Sequence, residues 1–527
     1  MDYKIILKEL QEKYGLCPLK TTENYADEVY VFVREDDFKK TCVNLHKLLH
    51  APIAALFAQD ERLERSVFVI NCVFESAKYK KWFFVSTEIS AETAKFNSLA
   101  KEIFSAALFE REIKEMFGIE PDGNPDVRRL HLHDEVWPKG WYPLRKDFKE
   151  ISAEKNALSE YVFNKVEGEG IFEVPVGPVH AGIIGPGHFR FNVAGEPIIN
   201  LELRLGFTHK GIEKLFEGKN AVSATKIAEC VSGDSSFAHT LSFCQAIEKI
   251  CRISVPDDSL IVRAILLELE RMYNHASGIG GIAIDVGFSF PSAYASLIKE
   301  AILQLNEAIT GSRYLKGVNE IGGTRQKLDK NKKTLILESL KQIAKDFNEV
   351  RKILLSSSSF MDRVDGTGIL RKKTADDFGV VGLAARASGI SADLRKDFPG
   401  VYAKVKFNLI RQDTGDALAR LNMRMFEFDE SLRLIEEFIK ILDCSKDEVL
   451  AKPVLKEGFA LGYVEGWRGP VLYWLRLDKN GIINRCKIVD PSFHNWQGLS
   501  YCVFGEIIPD FPLCNKSFDL SYSGNDL

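Results

Sequence analysis

The stretch after Pro256 constrains the fold more than any other part of the chain. Pro256-Asp257-Asp258-Ser259 reads as a helix start, and Leu260, Ile261, Ala264, Ile265, Leu267, Leu269 and Met272 follow it. At 3.6 residues per turn these side chains cover more than one face, so the helix has to sit inside a bundle. Further helical patterns over about 332–355 and 416–442 supply neighbours. A chain of 527 residues has room for two or three domains and ample length to bury a core.

The first 150 residues read differently. Val67-Phe68-Val69-Ile70-Asn71-Cys72-Val73-Phe74 and Trp82-Phe83-Phe84-Val85-Ser86 are β-rich, and the short polar connection between them predicts a hairpin. A helix is expected from about Ala91, ending at Gly118 as its C-cap, and a loop rich in Pro, Gly and Asp follows at 120–126. A polar stretch over about 149–170 reads as a linker. Beyond it, Phe189–Val193 and Ile198–Leu203 look like strands split by a turn at Gly195-Glu196-Pro197, and Val471–Arg476 returns to strand near the end.

Composition removes several function classes. A hydrophobic fraction of 45% with 27% charged residues describes an ordinary globular protein. A net charge of -4 and a pI near 6.3 give no footprint for nucleic acid. No run of about 18 apolar residues exists, so no membrane span is expected. Met1-Asp2-Tyr3-Lys4 lacks the apolar core of a signal peptide, which makes a cytoplasmic location the default expectation. The ten cysteines contain no C-x-x-C pair, which argues against a zinc ribbon, a redox dithiol or an iron–sulfur cluster held by this chain alone.

Two serine-bearing motifs stand out. The first is Val231-Ser232-Gly233-Asp234-Ser235-Ser236-Phe237-Ala238-His239. The second is Ser517-Phe518-Asp519-Leu520-Ser521-Tyr522-Ser523-Gly524-Asn525-Asp526-Leu527. They resemble V-C-G-x-C-G-F-x-H and S-L-D-P-C-Y-S-C-x-D-R of the large subunit of group 4, formate-hydrogenlyase-type nickel–iron hydrogenases. The likeness runs from about Val67 to the end of the sequence. It includes Gly177-Pro178-Val179-His180, Pro186-Gly187-His188-Phe189-Arg190, Ile321-Gly322-Gly323-Thr324-Arg325, Arg386-Ala387-Ser388-Gly389 and Arg468-Gly469. The segments Phe109–Gly118, Arg128-Arg129-Leu130 and Tyr142–Asp147 resemble the small peripheral-arm subunit of complex I, here fused to its quinone-site relative.

The resemblance implies an α+β fold: a small α/β domain over 1–150, a linker over 151–170, and a large, mainly helical domain over 171–527 with β-structure at its ends. It also implies what has changed. The four metal-ligand positions fall on Ser232, Ser235, Ser521 and Gly524. A low-spin nickel–iron centre needs soft thiolates, whereas a serine hydroxyl is a hard donor and glycine offers none. The family's glutamate before Pro-Gly-His is Gly185, the arginine before the first motif is Cys230, the proline of the second motif is Leu520, and the quinone-site tyrosine of complex I falls on Gly233. No nickel is expected, and no cofactor is expected on this chain itself.

Candidate residues follow from the same alignment. Asp234 and His239 are expected to handle protons. His180, His188, Ser232, Ser235, Arg386 and Ser521 are expected to line a quinone or proton pocket, with Arg468 supporting it. The alternatives are that Ser232, Asp234 and Ser235 cap a helix start, that His239 is a hydrogen-bonded core histidine, and that Arg386 and Arg468 form buried ion pairs. Three function classes stay open: an electron- and proton-coupling part of a complex-I-like oxidoreductase, a structural docking protein, or an enzyme with a new ligand in the emptied pocket. In the NADH dehydrogenase or formate hydrogenlyase setting that the resemblance implies, quinone and NAD binding are attributes to test. The implied partners are an iron–sulfur small subunit with a four-iron cluster and membrane-arm subunits, with this chain peripheral on the cytoplasmic side of the inner membrane. Ser232 or Ser235 should lie within about 10 Å of Ser521, since the replaced ligands would have shared one centre. Hydrogenase large subunits of this kind have a C-terminal extension that is cleaved after nickel insertion. Here Leu527 stands three residues past Gly524, so the expectation is a chain of processed length whose terminal strand or loop closes without proteolysis.

Overall fold

The computed structural model describes residues 3–149, 160–179, 185–443 and 453–527. The first module is built on a five-stranded sheet. Its strands are β1 (Lys20–Tyr25), β2 (Glu28–Phe32), β3 (Ile53–Glu61), β4 (Val67–Ser76) and β5 (Lys81–Ser90), in the order β1-β2-β5-β4-β3. The expected hairpin forms: β4 and β5 pair antiparallel from Val67 opposite Ser90 to Ser76 opposite Lys81. Helix α1 (Glu35–Leu49) packs on one face of the sheet through Phe38, Cys42 and Leu45.

The helix predicted from Ala91 starts only at Ala107. Residues 95–97 form a short strand parallel to 120–122, and α2 spans Ala107–Phe117. Ala94 adopts a positive φ and Phe96 is drawn into the core, which breaks the helical run before it can start. The predicted cap is present: Gly118 is left-handed at φ 69°.

The second module opens with three antiparallel strands, β6 (Ile171–Val176), β7 (His188–Ala194) and β8 (Ile198–Arg204). Residues 160–170 have no regular structure, but they are tied down, because the Tyr161 hydroxyl and the Asn164 amide both donate to Glu202 of β8. Next come α3 (Ser236–Cys251), α4 (Asp257–Asp285), α5 (Ser289–Thr310), α6 (Lys330–Ser356) and α7 (Ala417–Ile441). As its apolar pattern required, α4 is buried almost all round, touching α3, α5 and α7. Gly280 lets α5 approach, since a Cβ there would lie 3.2 Å from Ala295. Between α6 and α7, Phe347 and Phe428 stack at 3.7 Å.

The strands β9 (Gly458–Glu465), β10 (Pro470–Leu477) and β11 (Ile483–Val489) form an antiparallel sheet. It packs against α3 on one side and reaches the first module on the other. Trp474 sits 5.0 Å from Phe57 of β3, the Leu461 amide donates to Glu28, and Lys487 pairs with Glu112 at 2.6 Å. One continuous apolar cluster therefore contains residues of both modules, which makes the architecture α+β with a shared core. The terminal segment, expected as strand or loop, is instead a helical turn over Tyr522–Asp526, capped by the Ser521 hydroxyl accepting from Gly524 N. Among the described residues, no helix is long and apolar enough to cross a membrane.

Candidate functional site

The two serine motifs meet. Ser232, just before α3, and Ser521, just before the terminal helical turn, lie with their hydroxyl oxygens 2.8 Å apart, well inside the expected 10 Å. Asp234 organises the surroundings. Its Oδ1 accepts from Ser232 Oγ at 2.8 Å, Ser235 Oγ at 3.2 Å and Arg468 Nη1 at 2.8 Å, and its Oδ2 accepts from Arg468 Nη2 at 2.6 Å. A serine hydroxyl has one proton, so with Ser232 donating to Asp234, Ser521 donates to Ser232. The backbone carbonyl of Asp234 also accepts from Tyr273 Oη, Asn274 Nδ2 and Trp467 Nε1.

Burial works against the Asp234 carboxylate, but the Arg468 guanidinium and the two serine hydroxyls outweigh it and hold the group well below the usual carboxylate range. Asp234 is thus held in its charged form by its partners, with Arg468 foremost. Its side chain is 40% accessible, while that of Arg468 is only 5% accessible. Arg468 also donates from Nε to the carbonyl of Asp519, which ties the ion pair to the second motif. Gly382 packs directly under the Arg468 backbone, where any Cβ would collide with the Arg468 carbonyl.

Capping of α3 does not come from the motif. Ser235 is its N-cap residue, but the Ser235 side chain makes no capping bond; its hydroxyl is engaged by Asp234 and Trp467. Glu270 of α4 performs that role, accepting from Phe237 N at 2.8 Å and Ala238 N at 3.0 Å. Burial pushes the Glu270 carboxyl up to about 8, opposed by those two amides and helped by the charge of Asp234. It is thus a group in the site that titrates near neutrality, and the sequence reading missed it. The signal was a run of charge, Glu268, Glu270 and Arg271, inside an otherwise apolar helix.

His239 lies fully buried one turn into α3, between Asp490 Oδ2 and Tyr473 Oη, each at 3.0 Å. Asp490 is pushed up by burial but held below its ordinary value by the bond to His239 and the charges of His239 and Arg468. His239 thus connects to the motif through Asp490. That carboxylate also accepts from Ser492 N, and Ser492 Oγ accepts from Ser521 N.

The remaining candidates divide. Arg386 is not brought to the serines: its guanidinium is taken by Glu427 at 2.8 Å and Glu465 at 2.7 Å, deep in a buried charge network that includes His275. Long-range ion pairing, invisible along the chain, claims it. His188 faces the carbonyl of Gly177 at 3.4 Å and the ring of Phe163, with burial lowering its pKa. Its loop packs on the second motif, since a Cβ at Gly185 would meet the Tyr522 ring at 2.8 Å. His180 lies outside the described residues. Gly233 faces open space.

The donor set does not suit a thiolate-held metal centre. Ser232 and Ser521 are at direct hydrogen-bond distance, so nothing lies between them. At Gly524 even a Cβ would lie 2.6 Å from the Asp490 carboxylate, so no side chain fits there without displacing Asp490. The hydroxyls present are hard, protonated donors.

Comparison with known proteins completes the description. Residues 31–154 match the family model described as respiratory-chain NADH dehydrogenase, 30 Kd subunit, and residues 285–457 match the 49 Kd subunit. Formate hydrogenlyase subunit 5 of Escherichia coli (strain K12) is 33% identical over 99% of this chain and 92% of its own. The fused C/D protein of NADH-quinone oxidoreductase from Bacteroides thetaiotaomicron is 31% identical over 69% of this chain and 72% of its own. A chain from the membrane-bound sulfane sulfur reductase, an archaeal respiratory membrane complex, superposes with a TM-score of 0.65. It is 22% identical and covers 68% of this chain and 99% of its own, which shows a shared fold.

Proposed function

Since the chain belongs to the family that unites the fused 30 and 49 Kd subunits of respiratory-chain NADH dehydrogenase with the large subunit of formate-hydrogenlyase-type hydrogenases, we propose that it is a subunit of a membrane-bound respiratory oxidoreductase and works there without a nickel–iron centre. The observation that carries this reading is the direct contact of Ser232 with Ser521, with Asp490 closing the space at Gly524. Where a metal would need thiolates, the chain holds an ion pair, Asp234 with Arg468, fenced by hydroxyls.

In this reading the exposed edge of Asp234 receives a hydrogen-bond donor, such as the hydroxyl of a reduced quinone or a water on a proton path. Asp234 stays charged throughout and orients that donor. Glu270, behind it at the start of α3, is the group able to take up and release a proton near neutrality. Electrons reach the pocket from an iron–sulfur partner protein, and membrane-arm subunits lie on the other side, with the assembly on the cytoplasmic face of the membrane. A purely structural, docking role is the second reading. It is favoured by one observation: Ser232, Ser235 and Ser521 each already have partners within the protein.

The test is the purified assembly, with its constituent polypeptides, metal content and quinone reduction measured. Iron without nickel, together with quinone reduction that falls in Asp234→Asn, supports the coupling role. Nickel near one equivalent overturns the reading outright. Unchanged activity in Asp234→Asn leaves the docking role in its place.

A further inference from the structure

Two turns of the first module, β1–β2 at Ala26-Asp27 and β4–β5 at Lys80, meet the second module where α3 ends and α4 begins. They enclose a cavity of about 730 Å³ that none of the serine-motif residues lines. Its walls are chiefly apolar. Ile253, Val255, Leu260, Phe398 and Val401 line it, and each is only half-buried, so each keeps accessible surface. Apolar surface left in contact with water is unfavourable, and a cavity of this size at a module interface has the dimensions of a small-molecule site.

The acids around the cavity are all matched. Asp27 accepts from Lys249 Nζ at 2.5 Å and from the Tyr463 hydroxyl at 2.7 Å. Glu248 pairs with Arg263 at 2.7 Å and Glu465 with Arg386 at 2.7 Å. Arg395 is taken in turn by Asp393 at 2.7 Å. Two cations remain, Lys80 and Arg252. Both are exposed, and neither side chain is engaged by a carboxylate or carbonyl among the described residues. The Tyr25 hydroxyl, also in the lining, has no hydrogen-bond partner among them either. Burial and then the charge of Glu28 push it up to about 12, against the charge of Arg252, so it stands as a proton donor.

Lys80 and Arg252 share a backbone peculiarity. Their φ values, 52° and 53°, lie in the left-handed region that glycine occupies without strain. Arg252 directly follows α3, at the position where glycine is the usual residue. Backbone stability alone favours glycine at both places; the chain instead carries a long cation at each, and both line one cavity.

We propose that this cavity binds an amphipathic anion, its unbranched apolar chain along the walls and its carboxylate or phosphate head held by Arg252 and Lys80, with the Tyr25 hydroxyl as a further donor. A forked guanidinium and an ammonium suit either head group. The inference is independent of the serine pocket and survives if the function proposed above fails.

The test uses the full-length chain, free of detergent, titrated by calorimetry below micellar concentrations with octanoate, decanoate, laurate and dodecyl phosphate. Acetate and dodecanol are controls that each lack one half of the ligand. Laurate or dodecyl phosphate is expected to bind with Kd below about 100 μM, and the tighter of the two tells a free fatty acid from a phosphate-headed lipid. From octanoate to laurate each added methylene should tighten binding about fourfold. Acetate and dodecanol should bind at least about tenfold more weakly than laurate. Lys80→Gly with Arg252→Gly should weaken binding by about tenfold or more and leave the melting temperature without ligand unchanged or higher, because glycine relieves both left-handed positions. If that pair does not fold, Arg252→Glu, a charge reversal at an exposed side chain, should weaken binding at least as much. Absence of binding by both long-chain anions, laurate binding no tighter than dodecanol or independent of chain length, binding that survives the substitutions, or a density map of the assembly in which a partner polypeptide fills the cavity would each overturn the proposal.

Discussion

Glu270→Gln should change the sign of its effect on stability between pH 6 and pH 9. In the wild type the two carboxyl oxygens accept from Phe237 N and Ala238 N at the start of α3, in a site with 0% exposure. A glutamine at the same place offers one acceptor and turns an amine towards the second N–H, leaving one buried donor unmet at about 1–3 kcal/mol. That is the expected loss at pH 6, where the wild-type carboxyl is mostly protonated. The folded-state pKa, about 8, lies above the ordinary 4.5, so the native protein binds more protons than the unfolded chain between those values. The contribution of Glu270 is therefore full below about 4.5 and is lost as pH rises through about 8. At 1.36 kcal/mol per unit, the ceiling on that loss is about 5 kcal/mol. By pH 9 the glutamine variant, which has no proton to lose, should match or exceed the wild type. Urea unfolding at pH 6 and pH 9, with hydrogen exchange at Phe237 and Ala238 as the local readout, measures both arms. A variant that is equally destabilised at both pH values would refute the reasoning.

Other outcomes are accessible with single substitutions. Asp234→Asn removes the ion pair with Arg468; because the Asp234 side chain is 40% accessible, the loss should be only about 1–2 kcal/mol by urea unfolding. That wild-type contribution is full above pH 3.8 and falls on further acidification, so the two proteins should converge in acid. Gly524→Ala forces a methyl against Asp490 and should cost about 1–3 kcal/mol, with the His239 ring resonances moving in nitrogen NMR as its carboxylate partner shifts. Gly382→Ala combines a φ of 63° with a collision at the Arg468 carbonyl, so it should lower the melting temperature more than Gly524→Ala does.

What could be read from the sequence was whatever repeats along the chain or lies within one motif. The burial of α4 followed from apolar residues on several faces, and the hairpin of β4 and β5 followed from two β-rich runs with a polar turn. The meeting of Ser232 with Ser521 was legible through the family resemblance, which placed both at one former centre. The partners of Asp234 were less visible. Arg468 stands in a recognisable Arg-Gly pair, but Trp467, Tyr273 and Asn274 converge on Asp234 from segments 39 to 233 residues away, and no local spacing records that. Arg386 takes the second of the two roles open to it, a buried ion pair. Its place in a recognisable motif suggested the pocket, whereas Glu427 and Glu465, from two other elements, hold it elsewhere. The helix predicted from Ala91 is absent over 91–106, where Ala94 takes a left-handed φ and 95–97 pair as a strand with 120–122, placing Phe96 in the core.

The core shared by the two modules changes what their fusion means. Trp474, Leu472 and Val489 of the second module belong to the same apolar cluster as Phe57, Phe84 and Met116 of the first. Cutting the chain between the modules would therefore leave each half with a raw hydrophobic wound where a finished surface should be. The joint between them is a weld and not a hinge: heat or denaturant should melt both together in one transition, and a disturbance on the sheet of the first module has a rigid path, through β9–β11, to the Asp490 carboxylate beside the serines.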